Sequence, residues 1–229
     1  MQCDANNAQA WENLGQIKLR TGDPARAEYC WWRASQLQPE DLQLYVQLAT
    51  AIAAQQRYNE SNRILSSVLN NDENCVNAWV QLGINHFLQT NLGASQQALQ
   101  EALQHDVRNY RALKHLSLVA IASGKTVQAE TLLQTLAGYY PNDIETQVDL
   151  GVVELSLHKV EQAKDRFENV LTQKANCSKA GYYLAVAYQQ MGEDDKAGEV
   201  LKGLADIVTG GDRYYRKIQE LAGLMGEHH

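Results

Sequence analysis

Phenylalanine occurs only twice in the 229 residues and proline only three times. So little proline suits a chain of uninterrupted helices, where proline is tolerated at first turns and beyond helix ends. No run of 18 apolar residues occurs, so no segment is expected to span a membrane. The first residues lack the positively charged start and apolar core of a secretory signal. Positive charge is scarce too: 20 Lys and Arg stand against 27 Asp and Glu, for a net charge of −7. Residues 1–115 carry 9 basic and 11 acidic side chains, and residues 116–229 carry 11 and 16, so the second half is the more acidic. A basic stripe able to neutralise phosphates is missing, which argues against nucleic acid as a partner. There is no glycine-rich phosphate loop, nucleophile elbow, His-Glu-x-x-His or Cys-x-x-Cys, so no enzyme, cofactor or metal site is expected. Glu193-Asp194-Asp195 reads as a solvated turn with acids near a helix start, the alternative being a weak cation site.

What the chain does have is a period. Trp11, Leu14 and Gly15 share one face of a helix. Gly22-Asp23-Pro24 ends that helix and starts a second one. Ala27, Trp31 and Ala34 line the apolar face of the second helix, and Pro39 closes the unit. In steps of 34, Leu14 leads to Leu48, Leu82, Leu116, Leu150 and Leu184. With 28 leucines in the chain, chance would produce this in roughly three cases per million. Gly15 leads to Ala49, Gly83, Ser117, Gly151 and Ala185, all small. Ala27 leads to Ser61, Ser95, Ala129, Ala163 and Ala197, again small. Trp31 leads to Leu65, Leu99, Leu133, Phe167 and Leu201, all large. Small slots let helix backbones approach, and large slots fill the spaces left between them.

This pattern resembles the tetratricopeptide repeat, over nearly the whole chain. The resemblance implies an all-α, right-handed superhelical solenoid of six helix-turn-helix repeats: 8–41, 42–75, 76–109, 110–143, 144–177 and 178–211. Residues 212–229 are expected to form a C-terminal capping helix and tail, with Asp212 as its cap and Tyr214, Ile218, Leu221 and Met225 as its apolar stripe. Asp4-Ala5-Asn6-Asn7 looks like the closing turn of a preceding repeat, so residues 1–7 are expected to belong to a longer array or a linker. His228-His229 is given no functional weight. Cys75 and Cys177 fall in one slot three repeats apart. At roughly 8–10 Å per packed helix, that exceeds the separation of about 7 Å a disulfide tolerates. Free thiols are expected for these and for Cys3 and Cys30. They fit a cytoplasmic location, the alternative being a periplasmic or membrane-anchored parent protein.

In such repeats the first helices line a concave groove, and contacts come from a few fixed slots. The resemblance implies a partner protein or peptide there, for instance an amphipathic helix. The slots carry an apolar band of Val80, Ile84, Phe87, Leu88, Leu118, Ile121, Val148, Leu155, Val152 and Val186, with Tyr182 beside it. An exposed apolar patch of that extent marks an interaction surface. Arg111, Lys114 and His115 lie near Glu145 and Asp149, where they either orient a ligand or satisfy one another. The clamp that holds chaperone C-terminal carboxylates in this family is not expected: Leu118 replaces its Asn after Lys114, Asp149 its second Asn, and Tyr183 its Arg after Lys179. His86 sits in a slot usually filled by a packed aromatic. The expected function is a non-catalytic protein-interaction scaffold. The alternatives are a recruiting or regulatory module of a larger enzyme or assembly, and self-association into a homo-oligomer.

Overall fold

The computed structural model describes residues 7–205 and 207–226. Cys3, most of the expected closing turn at residues 1–7, and His228-His229 lie outside them. Among the described residues there are thirteen α-helices and no strand. The first helices of successive hairpins are α1 (Ala8–Arg20), α3 (Leu42–Ala54), α5 (Val76–Leu88), α7 (Tyr110–Ala122), α9 (Ile144–Ser156) and α11 (Ser178–Gln190). Their second helices are α2 (Pro24–Leu37), α4 (Tyr58–Asn71), α6 (Leu92–His105), α8 (Thr126–Tyr139), α10 (Val160–Gln173) and α12 (Asp194–Ala205). A last helix, α13, covers Tyr215–Gly226.

Local chemistry sets these boundaries. One residue ahead of each first helix stands Asn7, Asp41, Cys75, Asn109, Asp143 or Cys177. The Asn and Asp side chains accept from the backbone N–H of Ala10, Gln43, Ala112 and Thr146, satisfying donors the helix leaves open. The two cysteines in that slot make no side-chain cap bond. Between the helices of each hairpin the chain passes through one left-handed residue: Gly22, Gln56, Thr90, Gly124, His158 and Gly192, with φ between 58° and 79°. Glycine adopts that conformation without strain, whereas the other three do so against the steric preference of L-residues.

The chain forms two compact units, Met1–Ser123 and Gly124–His229. In the first, each second helix packs on its own first helix and on the next one: α2 on α1 and α3, α4 on α3 and α5, α6 on α5 and α7. In the second unit α8 packs on α9, α10 on α9 and α11, and α12 on α11 and α13. Within a hairpin the small slot faces the large one. A Cβ added at Gly83 would lie 2.6 Å from Leu99 Cγ, and one at Gly151 would lie 2.6 Å from Phe167 Cε1. Leu65, Leu99, Leu133, Phe167 and Leu201 are fully enclosed as a result.

The second unit closes on α13. Asp212 accepts from the Tyr214 N–H at 2.7 Å and from the Ser178 hydroxyl at 2.8 Å. Ile218, 34 residues after Leu184, is buried against the core of α11 and α12. Gln219 occupies the small slot and is exposed, so this helix presents no notch for a further second helix. Cys30, Cys75 and Cys177 are free thiols. No helix among the described residues is long and apolar enough to cross a membrane.

Candidate binding surface

Slots on the first helices divide by exposure. In the first unit Val80 and Ile84 are buried. They are packing residues, and a groove ligand could not reach them. Phe87 and Leu118 are half-buried, with the Phe87 ring edge-on to the His115 ring at 6.4 Å between centroids. Leu88, at the end of α5, is 52% exposed, and Ile121, near the end of α7, is 44% exposed. These two are the free apolar contacts of the expected band in this unit. In the second unit Val148 and Leu155 are buried, while Val152, Tyr182 and Val186 are half-buried. Tyr182 packs edge-on to Tyr183 at 5.1 Å and tilted against Tyr214 at 5.7 Å, with Lys217 Nζ 5.7 Å above its ring. Its surroundings are therefore the docking of α13, and that burial raises its pKa.

The charged slots have partners of their own. Arg111 is exposed, and its guanidinium donates to Gln81 Oε1 at 3.1 Å. Lys114 Nζ lies 3.4 Å from the Tyr110 hydroxyl and 5.6 Å over that ring. Asp149 accepts from Lys179. His115 has a buried Nδ1 without a hydrogen-bond partner. Burial, followed by the nearby charges of Arg111 and Lys114, lowers its pKa to about 4, so it is neutral at pH 7. His86 is half-buried with the same unpartnered Nδ1, and burial lowers its pKa too. No group of three His, Cys, Asp or Glu among the described residues could hold a metal ion.

At the N-terminal ends of the first helices, opposite the ends that carry Leu88 and Ile121, stands a set of amides that the apolar pattern did not reveal. Gln9, Gln43 and Asn77 stand 34 residues apart on α1, α3 and α5, all exposed. The Asn77 amide donates to Gln43 Oε1 at 3.0 Å. Deeper in, Gln47 donates to Glu12 at 2.9 Å, and Thr50 lies 3.3 Å from Gln81 Oε1. Gln81 in turn donates to Asn85 Oδ1 at 2.9 Å. Asn85 is completely buried and donates to Ser61 Oγ and Asn62 Oδ1, both at 2.8 Å. Stepping by 34 through the slot of Gln9 would have found the exposed row, since three successive repeats carry an amide there. The surface of the first unit thus offers neutral donors and acceptors along α1, α3 and α5, with an apolar shelf at Leu88 and Ile121.

Comparison with known proteins agrees with this architecture. A tetratricopeptide-repeat family profile matches residues 154–221. The chain is 25% identical to Cellulose synthase 1 operon protein C of Komagataeibacter xylinus, in an alignment that covers 93% of this chain and 17% of that protein. The chain thus spans a small part of the length of this relative. Among solved structures, PilF of Pseudomonas aeruginosa superposes with a TM-score of 0.77 at 16% identity, covering 93% of this chain and 96% of that one. YrrB, a tetratricopeptide-repeat protein with an unusual peptide-binding site, superposes with a TM-score of 0.69 at 19% identity, covering 86% and 97%. At these identities the structural likenesses establish the fold. With its 34-residue hairpins, small and large packing slots and capping helix, the chain has the tetratricopeptide-repeat fold, and residues 154–221 match that family, whose modules generally mediate protein–protein interaction.

Proposed function

We propose that the chain is a non-catalytic recruitment module that holds an amphipathic segment of a partner protein along the first helices of Met1–Ser123. The segment's apolar side chains rest on Leu88 and Ile121, with the exposed parts of Phe87 and Leu118 beneath. Its polar part reaches the amides of Gln9, Gln43 and Asn77 at the N-terminal ends of these helices, and Arg111 supplies a cationic contact. The observation that carries this reading is the exposure of Leu88 and Ile121 at the C-terminal ends of first helices whose N-terminal ends carry an uncharged amide row. Apolar shelf and polar rim together are what an amphipathic segment requires. Half-buried Phe87 and Leu118 are poor test sites, because a charge there would also disturb packing. Leu88→Glu and Ile121→Glu are the cleaner probes. Overlapping peptides covering the proteins encoded by neighbouring genes should be screened by fluorescence anisotropy. Each substitution should weaken captured peptides by about tenfold or more, with unchanged helicity by circular dichroism. Peptides bound equally well by the double variant would refute the site. Light scattering across a concentration series separates this reading from self-association.

The likeness to Cellulose synthase 1 operon protein C over 93% of the chain favours a second reading at the level of the whole polypeptide. In it, the chain is a recruiting section of a longer protein that serves a cellulose-producing assembly. An in-frame deletion of residues 8–211 from the native gene should abolish cellulose output while the rest of the polypeptide still accumulates. Unchanged output would remove this reading and leave the peptide site standing.

A further inference from the structure

Ile17, on α1, is 55% exposed. Its equivalents in the next five hairpins are Ala51, Asn85, Val119, Val153 and Ala187, none more than 4% exposed. What covers that slot is the second helix of the preceding hairpin. Ala51 packs in one cluster with Ala27 and Trp31 of α2, and Asn85 bonds to Ser61 and Asn62 of α4. Ala10 shows the same contrast. It is half-buried, whereas its equivalents Leu44, Ala78, Ala112, Thr146 and Ala180 are at most 1% exposed. Polar cross-links repeat the pattern: Gln55, just after α3, donates to Glu28 of α2 at 2.6 Å, and Gln89, just after α5, donates to Asn59 of α4 at 2.9 Å. The equivalent residue after α1, Thr21, is exposed and donates to Lys18 O of its own helix. The outer face of α1 therefore has the side chains of an interior repeat interface with one partner helix missing. At the other end of the chain, Arg216, Lys217, Gln219 and Glu220 of α13 are exposed.

We propose that the outer face of α1, centred on Ile17 and Ala10, is an interface that in the native polypeptide receives the second helix of a further tetratricopeptide hairpin, lying on the N-terminal side of Asn7. The occupant follows from continuity with the five internal interfaces, where the covering helix is always the one just before in sequence. Its contact positions should be a small residue flanked by large apolar ones, as in α2, α4 and α6. Asn7 already caps α1 as Asp41, Asn109 and Asp143 cap their helices, so the chain enters α1 as it does at an internal junction.

The test is the accessibility of residue 17. Ile17→Cys is placed in this 229-residue chain and in the full-length polypeptide, both are pulsed with a maleimide, and labelling is read by mass spectrometry of the peptide that contains residue 17. Val107→Cys, at an exposed turn, serves as the control that labels quickly in both. The expected result is rapid labelling of residue 17 in the short chain and labelling at least tenfold slower in the full-length polypeptide. Equal rates would overturn the proposal. Protection that appears in the short chain as its concentration rises would overturn it as well, because the occupant would then be a second copy. A native polypeptide with no helical hairpin ahead of Asn7 has the same consequence. Amide hydrogen exchange of α1 in the two unsubstituted chains gives the same comparison without a substitution, with slowed exchange expected in the longer one.

Discussion

Asn85 in the first unit and Glu154 in the second are each almost wholly enclosed polar side chains on a first helix, yet they are held differently. Asn85 is satisfied by uncharged groups, the Gln81 amide, Ser61 and Asn62. Glu154 accepts two bonds from the Arg166 guanidinium, at 2.8 and 2.9 Å. The contrast extends to their surroundings. The first unit links successive first helices through Gln47, Gln81 and Asn85, the second through Lys179 with Asp149, while one ion pair recurs at equivalent positions of both, Arg57 with Glu28 and Lys159 with Glu130. The same repeat geometry thus satisfies an enclosed polar side chain either through an amide network or through an ion pair. The two solutions should fail differently, and that is the way to test the comparison.

The largest effect is expected from Glu154→Ala. It leaves the Arg166 guanidinium without its carboxylate. Breaking a buried pair in this way costs about 3 kcal/mol, the lower end of the usual range, because a quarter of the Arg166 side chain stays in water. Amide exchange in α9 and α10 should accelerate by roughly a hundredfold. A change below threefold would mean that the pair contributes little. Asn85→Ala should be milder, about 1–2 kcal/mol, since half-buried Asn62 can turn to water once its partner is gone. In the unsubstituted chain, raised salt should separate the two units further: protection in α9 to α11 should fall with ionic strength more than protection in α5 and α6.

A pH series sharpens the comparison from the other side. His115 is held neutral with a pKa near 4, against an ordinary value of 6.5. Because the folded pKa is the lower one, the unfolded segment binds the proton first on acidification. The stability of α5 to α7 should therefore be complete above pH 6.5, decline between 6.5 and about 4, and level off below. His86 is shifted in the same direction by burial and adds to the same window. His115→Gln should flatten the decline in that segment. If the acid sensitivity of α5 to α7 is the same in His115→Gln as in the parent, the titration lies elsewhere.

Much of this organisation is legible along the chain because packing slots recur every 34 residues. Leu14 and Gly15 with their equivalents mark where first and second helices meet, and Gly210-Gly211 marks where the hairpins stop. The candidate surface is harder to read. Val80 and Val148 are as apolar as Leu88, but their slot turns toward the neighbouring helix, whereas Leu88 projects from the last turn of α5. Composition cannot separate these directions, since Glu12, Lys114 and Tyr182 share the slot of Val80. The amide network escaped for another reason. Glutamine and asparagine read as solvated residues in a sequence, and only the placement of Ser61 and Asn62 opposite Asn85 shows that one of them is core.

The smallest expected effect concerns a feature the two units share. Thr90 in the first and His158 in the second occupy the left-handed turn position that glycine fills in Gly22, Gly124 and Gly192. A β-branched residue is the more strained of the two there, because both of its γ atoms crowd the backbone. Thr90→Gly should release about 1 kcal/mol of that strain, less a part returned as added freedom of the unfolded chain. The thermal midpoint should rise slightly, and exchange should slow at the α5–α6 turn. His158→Gly should do the same in the second unit by a smaller amount. Since neither substitution touches the amide network or the ion pairs, their gains should add to the losses from Asn85→Ala and Glu154→Ala. A Thr90→Gly variant that is less stable than the parent would show that the Thr90 side chain contributes more to the turn than its conformation costs.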